Sequence, residues 1–224
     1  MRLLKNTAVF LCMTASFCLY SQSNSSGISF RWGVQVKNST GVSRFVEMNQ
    51  PLEIQTGDTF RFYICPIRGA YIYLIYFGSD NSVTSVFPLS FNNFEVNSGI
   101  GVSVPSSETN WLFFDGDSGE EQFHLLALSA RSANLERLIT EYNRISNNGT
   151  VINNRTISIR QRILDEITTL KRANSSFVTV AERPVSVAGV SRGMYSLSPV
   201  ENSGDVVTEV SAERFYAKIL RFRH

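Results

Sequence analysis

The sequence predicts a mainly β fold, sandwich-like and antiparallel, with two inserted amphipathic helices at about 132–146 and 158–172. Three observations point there. The stretch Gly57–Pro88 holds three β-rich runs, Thr59–Cys65, Ala70–Phe77 and Val83–Phe87, divided by Pro66–Gly69 and by the turn cluster Gly78–Ser82. The first run alternates, with Phe60, Phe62 and Ile64 on one side and Arg61, Tyr63 and Cys65 on the other. Further short β runs occur on both sides of a single helical region, so the strands on either side are expected to complete one sheet system.

The elements follow in order. Ile28–Lys37 alternates as a first strand, with short followers at Ser43–Glu47 and Leu52–Ile54; Pro51 suits an edge or a strand start. The three runs of 57–88 are expected to form a β-meander, with Ala70–Phe77 central because it is apolar on both sides. Ile100–Val104, stopped by Pro105, and the apolar runs Trp111–Phe114 and Gln122–Ser129 come next. Leu135, Leu138, Ile139, Tyr142 and Ile145 then recur at helical spacing behind a candidate N-cap, Ser132. After a polar loop, Ile159, Ile163, Ile167 and Leu170 form a second stripe, and Ser158 with Gln161 fits a capping box. Both stripes are expected to be core. Candidate strands at Phe177–Ala181, Val185–Val190, Val206–Val210 and Arg214–Phe222 close the chain, with GVSRG and ENSGD as turns.

Length and composition narrow the function. At 224 residues, with 12% aromatics and 18% charged residues, the chain can bury one generous core. A formal charge of +2 without any Lys/Arg block gives no footprint for nucleic acid. Arg2 and Lys5, the apolar run Ala8–Tyr20 and the polar SQSNSSG have the layout of a secretory signal peptide, cut near Ser21. The expected organisation is a signal peptide at 1–21, a short polar segment at 22–27 and one β-rich domain at 28–224, with no transmembrane span in the mature chain. The expected location is outside the cytoplasm: periplasmic, outer-membrane associated or secreted. Cys18 at the end of the apolar run is a candidate for acylation, although the bulky Phe17 before it departs from the small residue that lipoprotein signals use. After cleavage only Cys65 remains, so no intrachain disulfide is expected.

The order GDTFRFYICP, AYIYLIYF, VFP, VSVP and FFDGDSGEEQFHLLAL resembles a bacterial exported module, a domain of unknown function numbered 4384, over about residues 50–130. The closing RFYAKILRFRH resembles that family's end less specifically. The resemblance implies a β-sandwich-like module, found alone or attached to caspase-like peptidases and other enzymes, with no established chemistry of its own.

The residues themselves supply little chemistry. The two histidines are His124, inside an apolar strand, and His224, so an enzyme would need His124 or Cys65 to meet an acid or base in a cleft, and only a shared sheet system recommends a Cys65/His124 dyad. No GxSxG or phosphate loop is present, and GIGVSV leads into a strand rather than a helix. Asp115, Asp117, Glu120 and Glu121 crowd a loop beside Gly116 and Gly119. They are a calcium candidate, although an acidic hairpin turn accounts for the same residues. Tyr71, Tyr73 and Phe77 share the side opposite Ile72, Leu74 and Tyr76. That side is a binding face if the helices leave it bare and sandwich interior if it is covered. The expected function is therefore a non-catalytic exported module, without cofactor, that binds or assembles with another envelope or secreted protein. A carrier of a small apolar ligand held between sheet and helices is the alternative, and an enzyme of unrecognised type the third reading.

Overall fold

The computed structural model describes residues 27–92, 99–106, 109–114, 118–146, 153–177, 180–186 and 206–224. Their strands are β1 Ile28–Lys37, β2 Ser43–Val46, β3 Leu52–Glu53, β4 Thr59–Arg68, β5 Tyr71–Phe77, β6 Val83–Phe87, β7 Val102–Val104, β8 Glu120–Leu128, β9 Val180–Ser186, β10 Val206–Ala212 and β11 Phe215–Arg223. Two helices, α1 Ala133–Ser146 and α2 Asn154–Ala173, lie between β8 and β9. One sheet runs β7-β4-β1-β10-β9 with β2 also on β1, and the other runs β3-β11-β8-β5-β6. All pairings are antiparallel except the short β11–β3 pair.

The predicted mainly β, antiparallel architecture with two helices is present, but its central meander is not. β4 pairs with β1 and β7, whereas β5 pairs with β6 and β8, so the chain changes sheet between Arg68 and Tyr71. Gly69, at φ 47°, occupies the left-handed backbone region at this crossing. The central strand of the second sheet is β8, and β5 lies between it and the edge.

The alternation in β4 places Phe60, Phe62 and Ile64 inward, against Ile72, Leu74, Phe123, Leu125 and Phe222 from the facing sheet. Tilted aromatic rings fill this layer: Phe62 and Phe123 lie 4.8 Å apart and Phe60 and Phe222 4.8 Å apart by ring centroid. The opposite side of the second sheet carries Tyr73, Ile75, Phe77, Leu126 and Leu128, which pack on Leu135, Leu138, Ile139, Ile159, Ile163 and Ile167 of the helices. The result is three layers: sheet, sheet and helix pair. Each fully buried Leu, Ile or Phe in these two cores contributes about 1.5–3 kcal/mol.

Several boundaries differ from the sequence expectation for identifiable reasons. Helix α2 starts a turn before Ser158 because Asn153, not Ser158, is its N-cap. The Asn153 side chain accepts the N–H groups of Arg155 and Thr156, and Thr156 Oγ1 accepts the Asn153 N–H at 3.0 Å. Val180–Ser186 is one strand through Pro184, an edge position where the missing N–H removes nothing needed inside the sheet. Trp111–Phe114 forms only an isolated bridge at Leu112. The turns GVSRG and ENSGD lie outside the described residues, as do the signal peptide and Cys18. On the outer face of the first sheet, Phe45 crosses Gly33, where a Cβ would sit 2.9 Å from Phe45 Cδ1 and 3.0 Å from Val207 Cγ1. Among the described residues no helix is long and apolar enough to cross a membrane.

Candidate functional site

The site grows from the inward side of β5. Tyr76 points to the open flank of the sandwich, and the chain then reverses through Gly78–Ser82. Gly78 N–H donates to Ser82 O at 3.0 Å, Ser82 N–H to Asp80 Oδ1 at 2.8 Å, and Asn81 takes the left-handed conformation at φ 68°. A Cβ on Gly78 would collide with Asp80 Oδ1 and Ser82 Oγ, so a larger residue there would have to displace both side chains. Strand β6 follows and brings Thr84 and Val86 to the same flank.

The opposing wall comes from residues 112–114. Phe60 N–H donates to Leu112 O at 2.9 Å and Leu112 N–H to Phe60 O at 2.8 Å, which pins this segment to the start of β4. Phe114 then packs on Phe60, at 5.1 Å between centroids, whereas Phe113 is left 63% exposed on the rim. The end of the wall is built by β8 and β11. Gly119 and His224 exchange backbone hydrogen bonds at 3.0 and 3.2 Å, and the His224 ring stacks on Phe114 at 4.4 Å and 12°.

Between these walls is a cleft of about 590 Å³ with Phe60 and Phe123 among its lining residues. Glu121 closes one end and is only 4% exposed. Its Oε2 accepts Tyr76 O–H at 3.0 Å and Ser79 N–H at 2.8 Å, its Oε1 accepts Ser79 O–H at 2.7 Å, and His224 Nε2 stands 3.5 Å from Oε1. Burial, and then the bond to Glu121, push the Tyr76 hydroxyl well above the ordinary phenol range, so it remains a donor. Among the described residues, the charged side chains lining the cleft are Asp80 and Glu121, with His224 beside them and no Lys or Arg. Such a site offers a half-open aromatic surface with acceptors at one end, within the size range of ligand-binding clefts. A smaller hollow of about 240 Å³ opens beside β9. Its cations are engaged, since Lys218 pairs with Glu182 at 3.1 Å and Arg183 with Glu209.

The candidate residues from the sequence are distributed differently. Tyr73 is fully buried and Phe77 is 3% exposed beneath the helices, and Tyr71 packs against the same core. That side is covered, so Tyr71, Tyr73 and Phe77 do not form an open binding face. The Tyr73 hydroxyl donates to Glu136 Oε1 at 2.7 Å and accepts Ser132 N–H at 3.1 Å, tying β5 to the start of α1. Cys65 lies with Phe45, Tyr63 and Val207 on the outer face of the first sheet, and His124 packs on Phe77 at 4.6 Å on the outer face of the second. The whole sandwich interior separates them, so they form no dyad.

Asp115 and Asp117 lie outside the described residues. Glu120 and Glu121 are successive strand residues and project to opposite faces: Glu120 pairs with Arg221 and Arg223, and Glu121 turns into the cleft. Among the described residues, no three His, Cys, Asp or Glu side chains come together as a metal site. The sequence reading missed Ser79, Asp80, Phe113 and Phe114 as a group, because the Phe60–Leu112 bridge that gathers them spans half a hundred positions and leaves no local pattern. Glu121 carried a signal as part of the acidic cluster, though for a different role.

Residues 53–131 match the model of a family described as a domain of unknown function, DUF4384. The matched stretch contains every residue lining the cleft except His224. No curated protein and no solved structure matches the chain.

Proposed function

We propose that this is an exported, non-catalytic bacterial module that acts by contacting another envelope or secreted protein, and that the cleft between the two sheets is the contact site. The observation that carries this reading is Phe113. A phenylalanine 63% exposed at the mouth of an aromatic-lined cleft gains from burial only when something covers it. The alternative of an apolar-ligand carrier would place its cavity between the helices and β5, where Tyr73, Ile75, Leu135, Ile139 and Ile163 are instead packed to near-complete burial. The sandwich flank is therefore the better site.

Site-specific photocrosslinking tests the reading. Benzoylphenylalanine at position 113 in the producing cell is expected to give one discrete adduct with a second protein. The same group at Thr168, exposed on α2, is the control. Identical adduct patterns from both positions, or none from 113, would reject the cleft as the contact site.

A further inference from the structure

Granted that the cleft is the contact site, its lining also specifies the group it receives: we infer that it takes an arginine side chain presented by the partner protein. Charge comes first. The chain carries a formal +2, yet among the described residues the cleft is lined by two carboxylates and no Lys or Arg, so it is an acidic recess in a slightly basic protein. Asp80 is exposed. Its Oδ1 accepts the Ser82 N–H, and no cation pairs with the side chain among the described residues. Glu121 accepts its hydrogen bonds from the neutral donors Tyr76 and Ser79, and no Lys or Arg pairs with it among the described residues; His224 Nε2 lies 3.5 Å from its Oε1.

Shape comes second. The His224 imidazole lies flat on Phe114 at 4.4 Å and 12° with Nε2 toward Glu121. A planar nitrogen-bearing group therefore already fits face-on to the aromatic wall and edge-on to the acid. A guanidinium is the side-chain cation that shares this form. It is planar, stacks on aromatic faces and presents several donors in one plane, whereas the lysine ammonium is a point charge with no face to stack. The arginine methylenes would lie along Leu112 and Val86, and Phe113 would cover the neighbouring residue of the partner.

The test is amide chemical-shift mapping on the ¹⁵N-labelled full chain, with four blocked amino acids as probes: N-acetyl N-methylamides of arginine, lysine, citrulline and norleucine. Arginine is expected to shift the signals of Tyr76, Ser79, Thr84, Phe114 and Glu121 saturably, at least about tenfold tighter than its uncharged isostere citrulline. Thr84→Lys, which adds a cation at an exposed cleft position, is expected to weaken arginine about tenfold and uncharged citrulline far less. Its fold is verified in the same spectra. Citrulline or lysine binding within about threefold of arginine would overturn the inference. Norleucine matching arginine would do the same while leaving the cleft intact as an apolar contact site. Silence of all four probes at these signals would overturn both.

Discussion

His124 makes the strength of the helix layer dependent on pH. The imidazole is 5% exposed, packs at a tilt against Phe77 and, among the described residues, has no hydrogen-bond partner at Nδ1 or Nε2. Burial, and then the charges of Lys171, Arg160 and Arg221, hold its pKa down from 6.5 to about 4. The folded protein thus keeps His124 neutral while the unfolded chain takes up a proton below about pH 6.5. Its full contribution is present above pH 6.5 and is lost as the pH falls through the folded value. The gap from 6.5 to about 4 is worth about 3 kcal/mol in all, most of it lost between pH 7.5 and pH 4.5. Urea unfolding of the parent chain and of His124→Leu at these two pH values isolates the effect, because carboxylates that also respond to acid cancel in the comparison. The leucine variant is expected to match or exceed the parent at pH 7.5, having removed two unpartnered buried nitrogens. It should then exceed the parent by about 2–3 kcal/mol more at pH 4.5. Parallel pH profiles would refute the reasoning.

Other substitutions test the scaffold. Tyr73→Phe deletes the donor to Glu136, which is 7% exposed, and is expected to cost about 1–3 kcal/mol in denaturant unfolding. Burial alone would raise the Glu136 pKa, but its bonds from Arg131 and Tyr73 reverse this and lower it, so the same variant should raise it toward the ordinary range in a carboxyl ¹³C titration. Gly33→Ala drives a methyl into Phe45 and Val207 and is expected to cost about 1–3 kcal/mol by thermal unfolding. Asn153→Ala removes the α2 cap for about 1 kcal/mol, with faster amide exchange confined to the first turn. Phe113→Ser is expected to leave the unfolding midpoint unchanged while removing the residue-113 contact surface, since the ring is largely in solvent.

Local patterning made most elements legible. Local β patterning located β1 and β6 at their true ends and β4 and β11 nearly so, and the 3.6-residue stripes located the buried faces of both helices. Pairing was not legible. β1 meets β4 on one side and β2 and β10 on the other, and nothing local tells Phe62 to oppose Val34, or Glu209 to oppose Arg31. Proximity in sequence favoured a meander where the chain in fact changes sheet. The α2 cap was missed because threonine, not Glu or Gln, completes the box at its third position. Among the cleft residues, Phe60 and Phe123 were readable as strand positions, but their shared use depends on the Leu112 bridge and the Gly119–His224 pairing. Those contacts exist only once the two sheets have closed on each other.

The flank where the sheets part is the surface a partner would cover. Hydrogen exchange of the isolated chain, compared with the same chain bound to the protein recovered through the residue-113 adduct, tests it most directly. Protection is expected in 76–86, 109–114 and 118–123, with the outer faces of α1 and α2 unchanged. Protection concentrated in 133–146 and 154–173, with the cleft segments exchanging as before, would contradict it.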